Sequence, residues 1–289
     1  MTNNRRDFIK TVGLASAALT LPFVGKTNLL EGFGAGKKLD SFGLQLWTVK
    51  EDMEANAKGT LAKLAKYGYK QIESFEGKQG MYWGMKNTEF KKYMDDLGMK
   101  IVSSHANYKD DFERKAAEAA EIGIKYLVCS YVGPQKSIED FKKISDEFNT
   151  SGAICKKNGI RFAYHNHDYS FKSLDGLAPQ SVMMEGTDAS LVDFEMDIYW
   201  VVTANEDPIK WLKKYPQRFR LCHVKDQGKT ATGFASCEIG KGTIDFSAIL
   251  KEGKQQGLKY FIVEQEEFAG STPLKSAALN AAYMKKFTI

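Results

Sequence analysis

From residue 42 onward, short apolar runs alternate with stretches in which apolar residues recur every third or fourth position. The short runs are 42–47 (FGLQLW), 69–74 (YKQIES), 100–104 (KIVSS), 125–130 (KYLVCS), 160–165 (IRFAYH), 191–196 (LVDFEM), 219–224 (FRLCHV) and 260–265 (YFIVEQ). Each has strand length, which makes eight candidate strands. Helical patterns fall over 59–68, 88–98, 109–123, 138–158, 245–257 and 274–286. Three of these stop at Gly68-Tyr69-Lys70, Gly98-Met99-Lys100 and Gly123-Ile124-Lys125, and a fourth stops at Gly159 before Ile160-Arg161. A glycine that ends a helix and feeds a strand, repeated four times, is what successive βα units produce. Strands that alternate with helices predict a parallel sheet, and eight units in this length predict a (β/α)8 barrel over residues 41–289 as a single domain. A doubly wound sheet with fewer, longer connections is the alternative.

Composition does not disturb that reading. The chain has 289 residues, 43% hydrophobic and 27% charged, enough to bury a core without staples. Its net charge of +5 contains no block of Lys or Arg, which argues against nucleic acid as a partner. Residues 1–36 hold four basic and two acidic residues, a net of +2, so the rest of the chain carries +3. The four cysteines (Cys129, Cys155, Cys222 and Cys237) include no C-x-x-C pair and read as buried thiols.

The first 25 residues do not read as part of the fold. Arg5-Arg6-Asp7-Phe8-Ile9-Lys10 precedes an apolar run too short to span a bilayer, which is a signal-peptide layout. The paired arginines resemble the twin-arginine export signal and imply a periplasmic or exported protein with no membrane span once the leader is removed. Residues 26–40, rich in Gly and Lys, read as a linker.

In such a barrel, chemistry sits where the strands end. Strand two ends in Glu73, strand three in His105, and strand five in His165 and His167, whose spacing puts both on one face of an extended chain. Strand six ends in Asp197, strand seven in His223 followed by Lys225 and Asp226, and strand eight in Glu264 and Glu266. All four histidines of the chain therefore lie at strand ends. Imidazoles and carboxylates converging on one mouth suit a single divalent metal: Mn, Co, Zn, Fe or Mg. Glu238-Ile-Gly240-Lys-Gly242-Thr-Ile-Asp245-Phe246 invites a nucleotide-binding reading but lacks the third glycine and the preceding strand, so Asp245 is expected to cap the next helix.

Three motifs, Leu191-Val-Asp-Phe-Glu-Met-Asp197-Ile-Tyr-Trp200, Cys222-His223-Val-Lys-Asp226 and Ile262-Val-Glu264, resemble the xylose-isomerase-like barrels. These include sugar phosphate isomerases/epimerases, keto-sugar epimerases and inosose dehydratase, and the resemblance spans roughly residues 40–289. It implies a metal held from strands five to eight, with Asp197, His223 and Glu264 matching three ligands. The strand-five ligand in that family is usually a Glu. Here its place holds His165, and related runs often carry Glu where this chain has Ser170. The fourth ligand is thus open between His165 and His167.

The resemblance further implies chemistry on a keto-sugar. A metal polarises the carbonyl and a base removes the neighbouring proton, after which isomerisation, epimerisation or loss of a β-hydroxyl all follow from one enediolate. The leading expectation is a sugar isomerase or epimerase. A keto-sugar dehydratase or hydratase is the alternative, and a non-catalytic carbohydrate-binding protein is a third reading. Glu73, His165 and His167 are candidate proton carriers, with Lys225 as electrostatic support. His105 is expected to touch substrate hydroxyls, and Trp47 and Trp200 to line the pocket. An exported protein seldom meets phosphorylated metabolites, so the expected partner is a small non-phosphorylated carbohydrate. Homo-oligomerisation is left open.

Overall fold

The computed structural model describes residues 38–288; the leader and most of the linker read from the sequence lie outside the described residues. Seven strands come in order, β1 (Gly43–Gln45), β2 (Gln71–Phe75), β3 (Lys100–His105), β4 (Tyr126–Cys129), β5 (Arg161–His165), β6 (Val192–Asp197) and β7 (Phe219–Val224). A hairpin of β8 (Asp226–Thr230) and β9 (Gly233–Cys237) follows, and then β10 (Tyr260–Val263). The seven strands and β10 close into one parallel barrel in chain order, with β10 returning to pair with β1. The molecule is a (β/α)8 barrel, and each of the eight strands read from the hydrophobic pattern is present.

The outer ring is α1 (Lys50–Tyr67), α2 (Asn87–Asp96), α3 (Phe112–Glu121), α4 (Ile138–Lys157), α5 (Pro179–Gly186), α6 (Ile198–Thr203), α7 (Pro208–Lys214), α8 (Phe246–Gln255) and α9 (Pro273–Met284). Six were legible in the sequence, whereas α5, α6 and α7 are of eight residues or fewer and carry too few turns to show a period. The helix read over 59–68 begins earlier and is interrupted at Asn56, whose backbone is extended and whose Oδ1 accepts from Gly59 N at 2.9 Å, capping the second half. Gly68 (φ 105°) and Gly159 (φ 75°) take the left-handed turn that lets a helix reverse into the next strand. Asp245 caps α8 by accepting from Ser247 N and Ala248 N. At the other end of the described chain, Leu39 N donates to Phe287 O, so the last residues of the stretch read as a linker lie along the C-terminal segment.

Strand pleating positions everything inside the barrel. Alternate residues face inward, so Ala163 and His165 share one column, as do Leu221 with His223 and Ile262 with Glu264. Val102, Val128, Ala163, Leu221 and Ile262 form a small apolar cluster in the barrel interior. Arg161 and Asp193, one step earlier in their columns, lie on the far side of that cluster from His165 and Asp197. Arg161 donates to Asp193 through Nε and through Nη2 (2.9 Å), and Tyr126 donates its hydroxyl to the same carboxylate at 3.1 Å. The intervening residues of each strand point outward, where Phe162, Tyr164, Phe194 and Cys222 pack beneath the helices.

Asp193 is 3% exposed, while a third of the Arg161 side chain is open to solvent. Asp193→Ala strands the guanidinium and is expected to lower stability by about 2–3 kcal/mol, less than for a fully buried pair. Denaturant unfolding measures this, and a loss under about 1 kcal/mol would show that the pair does not hold the barrel floor.

Candidate active site

The upper layer of the barrel follows from the same columns. Glu73, His105, His165, Glu195, Asp197, His223 and Glu264 converge within it, and all but His105 are at most 5% exposed. Asn166, the middle residue of the His-Asn-His run, does not join them. Its side chain turns toward β6, accepting from Asp197 N (3.2 Å) and donating to Asp197 O (3.1 Å), and so locks the end of β6 to the end of β5. Asp197 is held a second time through its own carboxylate, because Oδ1 accepts from Trp200 N at 3.2 Å as the cap of α6.

Below the opening, two carboxylates bind the histidines together. Glu195 Oε2 lies 3.1 Å from both His105 Nε2 and His165 Nδ1. Glu73 Oε1 is 2.7 Å from His223 Nε2 and 3.2 Å from His105 Nε2, and accepts from Gln45 Nε2 at 2.8 Å. Burial alone would raise Glu73, but His105 and His223 outweigh it and hold the carboxyl well below its usual range. Burial and the charge of Glu73 push Glu195 up to about 7. Burial opposes charge on His105, yet the two glutamates raise it to about 10. His223 is likewise raised, against burial, by Glu195 and Glu264. By contrast His165, buried and facing three other imidazoles and Lys225, is driven well below 6.5 and stays neutral.

Three ligand-type side chains, Asp197, His223 and Glu264, place one atom each within 4.8 Å of one another. Here His223 Nδ1 is 3.1 Å from Glu264 Oε2 and 3.8 Å from Asp197 Oδ2. Asp197 Oδ2 is buried without a hydrogen-bond partner, a costly state that a cation would relieve. This set therefore fits a divalent metal. His165 Nε2 lies 3.8 Å from the same Oδ2 while its Nδ1 is engaged by Glu195, the arrangement that leaves a ligating nitrogen bare. Lys225 stands beside the set, with Nζ 3.2 Å from Glu264 Oε2, 3.6 Å from Asp197 Oδ2 and 2.7 Å from Glu266 Oε2. These carboxylates raise its pKa against burial, so it stays charged and offsets part of their charge. A second cluster, His105, His165, Glu195 and His223, shares His223 and is joined through Glu195 Oε2, with Glu195 Oε1 left buried without a partner. It reads as the support of the first.

The mouth opens into a cavity of about 610 Å³ lined by Trp47, Phe75, Glu76, His105, Asn107, Tyr108, Tyr131, His165, His167, Trp200, Glu264 and Glu266, among others. His167 follows the end of β5, stacks on Trp200 (5.4 Å) and Tyr169 (5.8 Å), and has its Nδ1 buried without a partner. Burial takes it down to about 4. One expectation needs correction. Glu73 is sealed beneath the histidines and does not line the cavity, so it holds His105 and His223 in place and does not reach a substrate proton. Ser170 is turned away from the site: its Oγ meets the outward-facing Tyr164 hydroxyl at 3.0 Å. Two residues were missed. Glu195 was visible in the alternation Asp193, Glu195, Asp197, which puts all three acids on the inner face, and Tyr131 sits in a loop with no periodic signal. The Gly-x-Gly stretch serves a structural end, since Gly240 N and Gly242 N both donate to Asp226 Oδ2.

Asp197→Ala is expected to abolish stoichiometric metal in the purified protein, and Asn166→Ala to weaken metal binding by about 10–100-fold, as supporting groups do. Ser170→Ala should leave metal content unchanged. Metal analysis after dialysis reads all three; retention of metal by Asp197→Ala would rule this set out. Because His223 must lose its Nδ1 proton to ligate, loading should release about one proton in weakly buffered solution.

A family model described as xylose isomerase-like TIM barrel matches residues 61–287. Inosose dehydratase from Clostridium perfringens is 29% identical over 175 residues. The match covers 52% of this chain and 56% of that protein, so the chain spans little more than half the length of the curated relatives it matches. Among solved structures, a sugar phosphate isomerase/epimerase from Parabacteroides distasonis is 29% identical, with a TM-score of 0.73 over 91% of this chain and 98% of that one. The IolI protein with a bound zinc atom shares the fold at 19% identity, with a TM-score of 0.67 over 84% of this chain and 95% of that one. With a family match over most of its length and a closed eight-stranded parallel barrel to go with it, the chain belongs to the xylose isomerase-like TIM barrel family.

Proposed function

We propose that the protein is a metal-dependent enzyme that isomerises or epimerises a non-phosphorylated keto-sugar by moving a proton at the carbon next to its carbonyl. One observation carries this reading. Glu264 brings the Asp197, His223 and Glu264 set to the wall of a cavity whose lining residues include three carboxylates and three imidazoles but no Lys or Arg. Such a wall suits hydroxyls and proton transfer and gives a phosphate no lysine or arginine fork to pair with. The zinc atom in IolI supports a divalent cation at a barrel of this kind.

When bound, the metal supplies a positive charge that polarises the substrate carbonyl. The chain's own residues do the rest. Glu266 and His167 are the cavity groups able to take or return a proton, with Glu264 kept for the metal, while Glu195 and Glu73 fix the imidazoles around them. Lys225 is 5.0 Å from the Trp200 ring and carries its charge to the edge of the site. Trp47 and Trp200 offer ring faces to the sugar, and His105 reaches the cavity to meet a hydroxyl. Export by the twin-arginine route belongs to the same reading, supported by Arg5-Arg6 ahead of a short apolar run.

Dehydration is the second reading, favoured by the sequence relatives named inosose dehydratase. Turnover in heavy water separates the two: deuterium incorporated into a product of unchanged composition supports isomerisation or epimerisation, and a product lighter by one water supports the lyase. Glu264→Gln should lower kcat by about 10²–10⁴-fold in either case, and a variant as active as the parent would refute the site.

A further inference from the structure

Beside the reaction cavity lies another of about 540 Å³, and the two share a ridge formed by Trp47 and Glu266, which belong to both walls. The far side of the second cavity is the first turn and a half of α1, with Lys50, Asp52 and Ala55 facing it. Trp47 is 40% exposed and leaves part of a large aromatic ring open between the two cavities. Its position is braced, since Phe75 meets it edge-on at 5.0 Å and Lys50 Nζ stands 4.0 Å from its centroid. Glu266 is joined through Lys225 (2.7 Å) to Glu264 (3.2 Å), so the ridge stands one side chain away from the proposed chemistry.

We propose that the second cavity is a subsite for the remainder of a glycoside. The keto-sugar unit occupies the reaction cavity, the linkage crosses the Trp47–Glu266 ridge, and a second, neutral glycosyl unit rests against α1. This deepens, and rests on, the carbohydrate reading of the first cavity. The charges select the ligand class. Lys50 stands against Glu51, Asp52 and Glu266 on the second wall, a surplus of acid that repels a phosphorylated or carboxylated unit and accepts hydroxyl donors. Lys50 covers part of the Trp47 ring, and the C–H face of a pyranose, which carries slight positive charge, is matched to the negative π-cloud of the part left exposed.

The test compares 3-ketoglucose with the disaccharide in which the same keto unit is linked to a second glucose, using metal-loaded protein. The disaccharide should show kcat/KM higher by about tenfold or more, the range that added pocket contacts give. Ala55→Trp fills the second cavity from an exposed helix position outside the catalytic groups. It should bring the disaccharide down to the level of 3-ketoglucose and leave 3-ketoglucose unchanged, which also shows that the variant folds; Ala55→Leu is the same test with a smaller side chain. A 6-phosphate on the second glucose should cancel the gain. Equal use of both sugars by the parent, or an Ala55→Trp variant that keeps the disaccharide's advantage, would overturn the subsite and leave the reaction cavity's assignment standing. If neither sugar is bound or turned over, the carbohydrate reading itself fails and the subsite goes with it.

Discussion

Four carboxylates, those of Glu73, Glu195, Asp197 and Glu264, are packed into the top of this barrel with almost no contact with water. Isolated in such a place they would unfold the protein. What makes the arrangement stable is the interleaving of His105, His223 and Lys225, each held charged against burial by the carboxylates around it. The compensation is incomplete at three oxygens, Glu73 Oε2, Glu195 Oε1 and Asp197 Oδ2; the last has three cationic or imidazole groups between 3.6 and 3.8 Å and no hydrogen bond. The rest of the upper barrel is arranged around that deficit. Asn166 and the start of α6 fix the backbone and the other oxygen of Asp197, so the side chain cannot swing away to find a partner.

Much of this was legible in the sequence, because the two signals involved are local. Period-two strands and glycine-terminated helices reveal the barrel, and strand ends that finish in His, Asp or Glu reveal the mouth. What stayed hidden depends on three-dimensional direction. Ser170 follows two histidines closely enough to be counted with them, yet the short 3-10 turn at Asp168–Ser170 swings it to the outer side of β5, against Tyr164. Glu73 was read as a strand end, but β2 runs on to Phe75, and Gln45, His105 and His223 close over it. Glu195 was passed over because it lies one pleat below the strand end, and only the inward alternation with Asp193 and Asp197 betrays it. The helices α5 to α7 escaped because tertiary packing and caps, more than periodicity, hold them. Asp207, for example, accepts from Ile209 N to start α7.

At the strand-five position, where the resemblance leads one to expect a Glu ligand, this chain has His165. If the metal is held as proposed, an imidazole with a carboxylate behind it stands in for a carboxylate ligand. His165 and Glu195 then act as a pair, the first facing Asp197 and the second fixing the first. Exchanging a charged oxygen donor for a neutral nitrogen donor removes one negative charge from the set. It also shifts preference toward borderline metals such as zinc or cobalt and away from magnesium.

Asp226 sits just past the end of β7 and receives backbone N–H groups from Gly240, Gly242 and Ile244. A β-carbon on Gly242 would fall 2.2 Å from its carboxylate oxygen, so the loop can wrap this closely only because a glycine is there. The hairpin β8–β9 is thereby pinched off at its base, with both its entry and its exit tied to one buried side chain. Ser236 in β9 also accepts from Glu266 N and Glu267 N, so the base of the hairpin carries part of the cavity rim while its tip, between Thr230 and Gly233, stands clear of both ties.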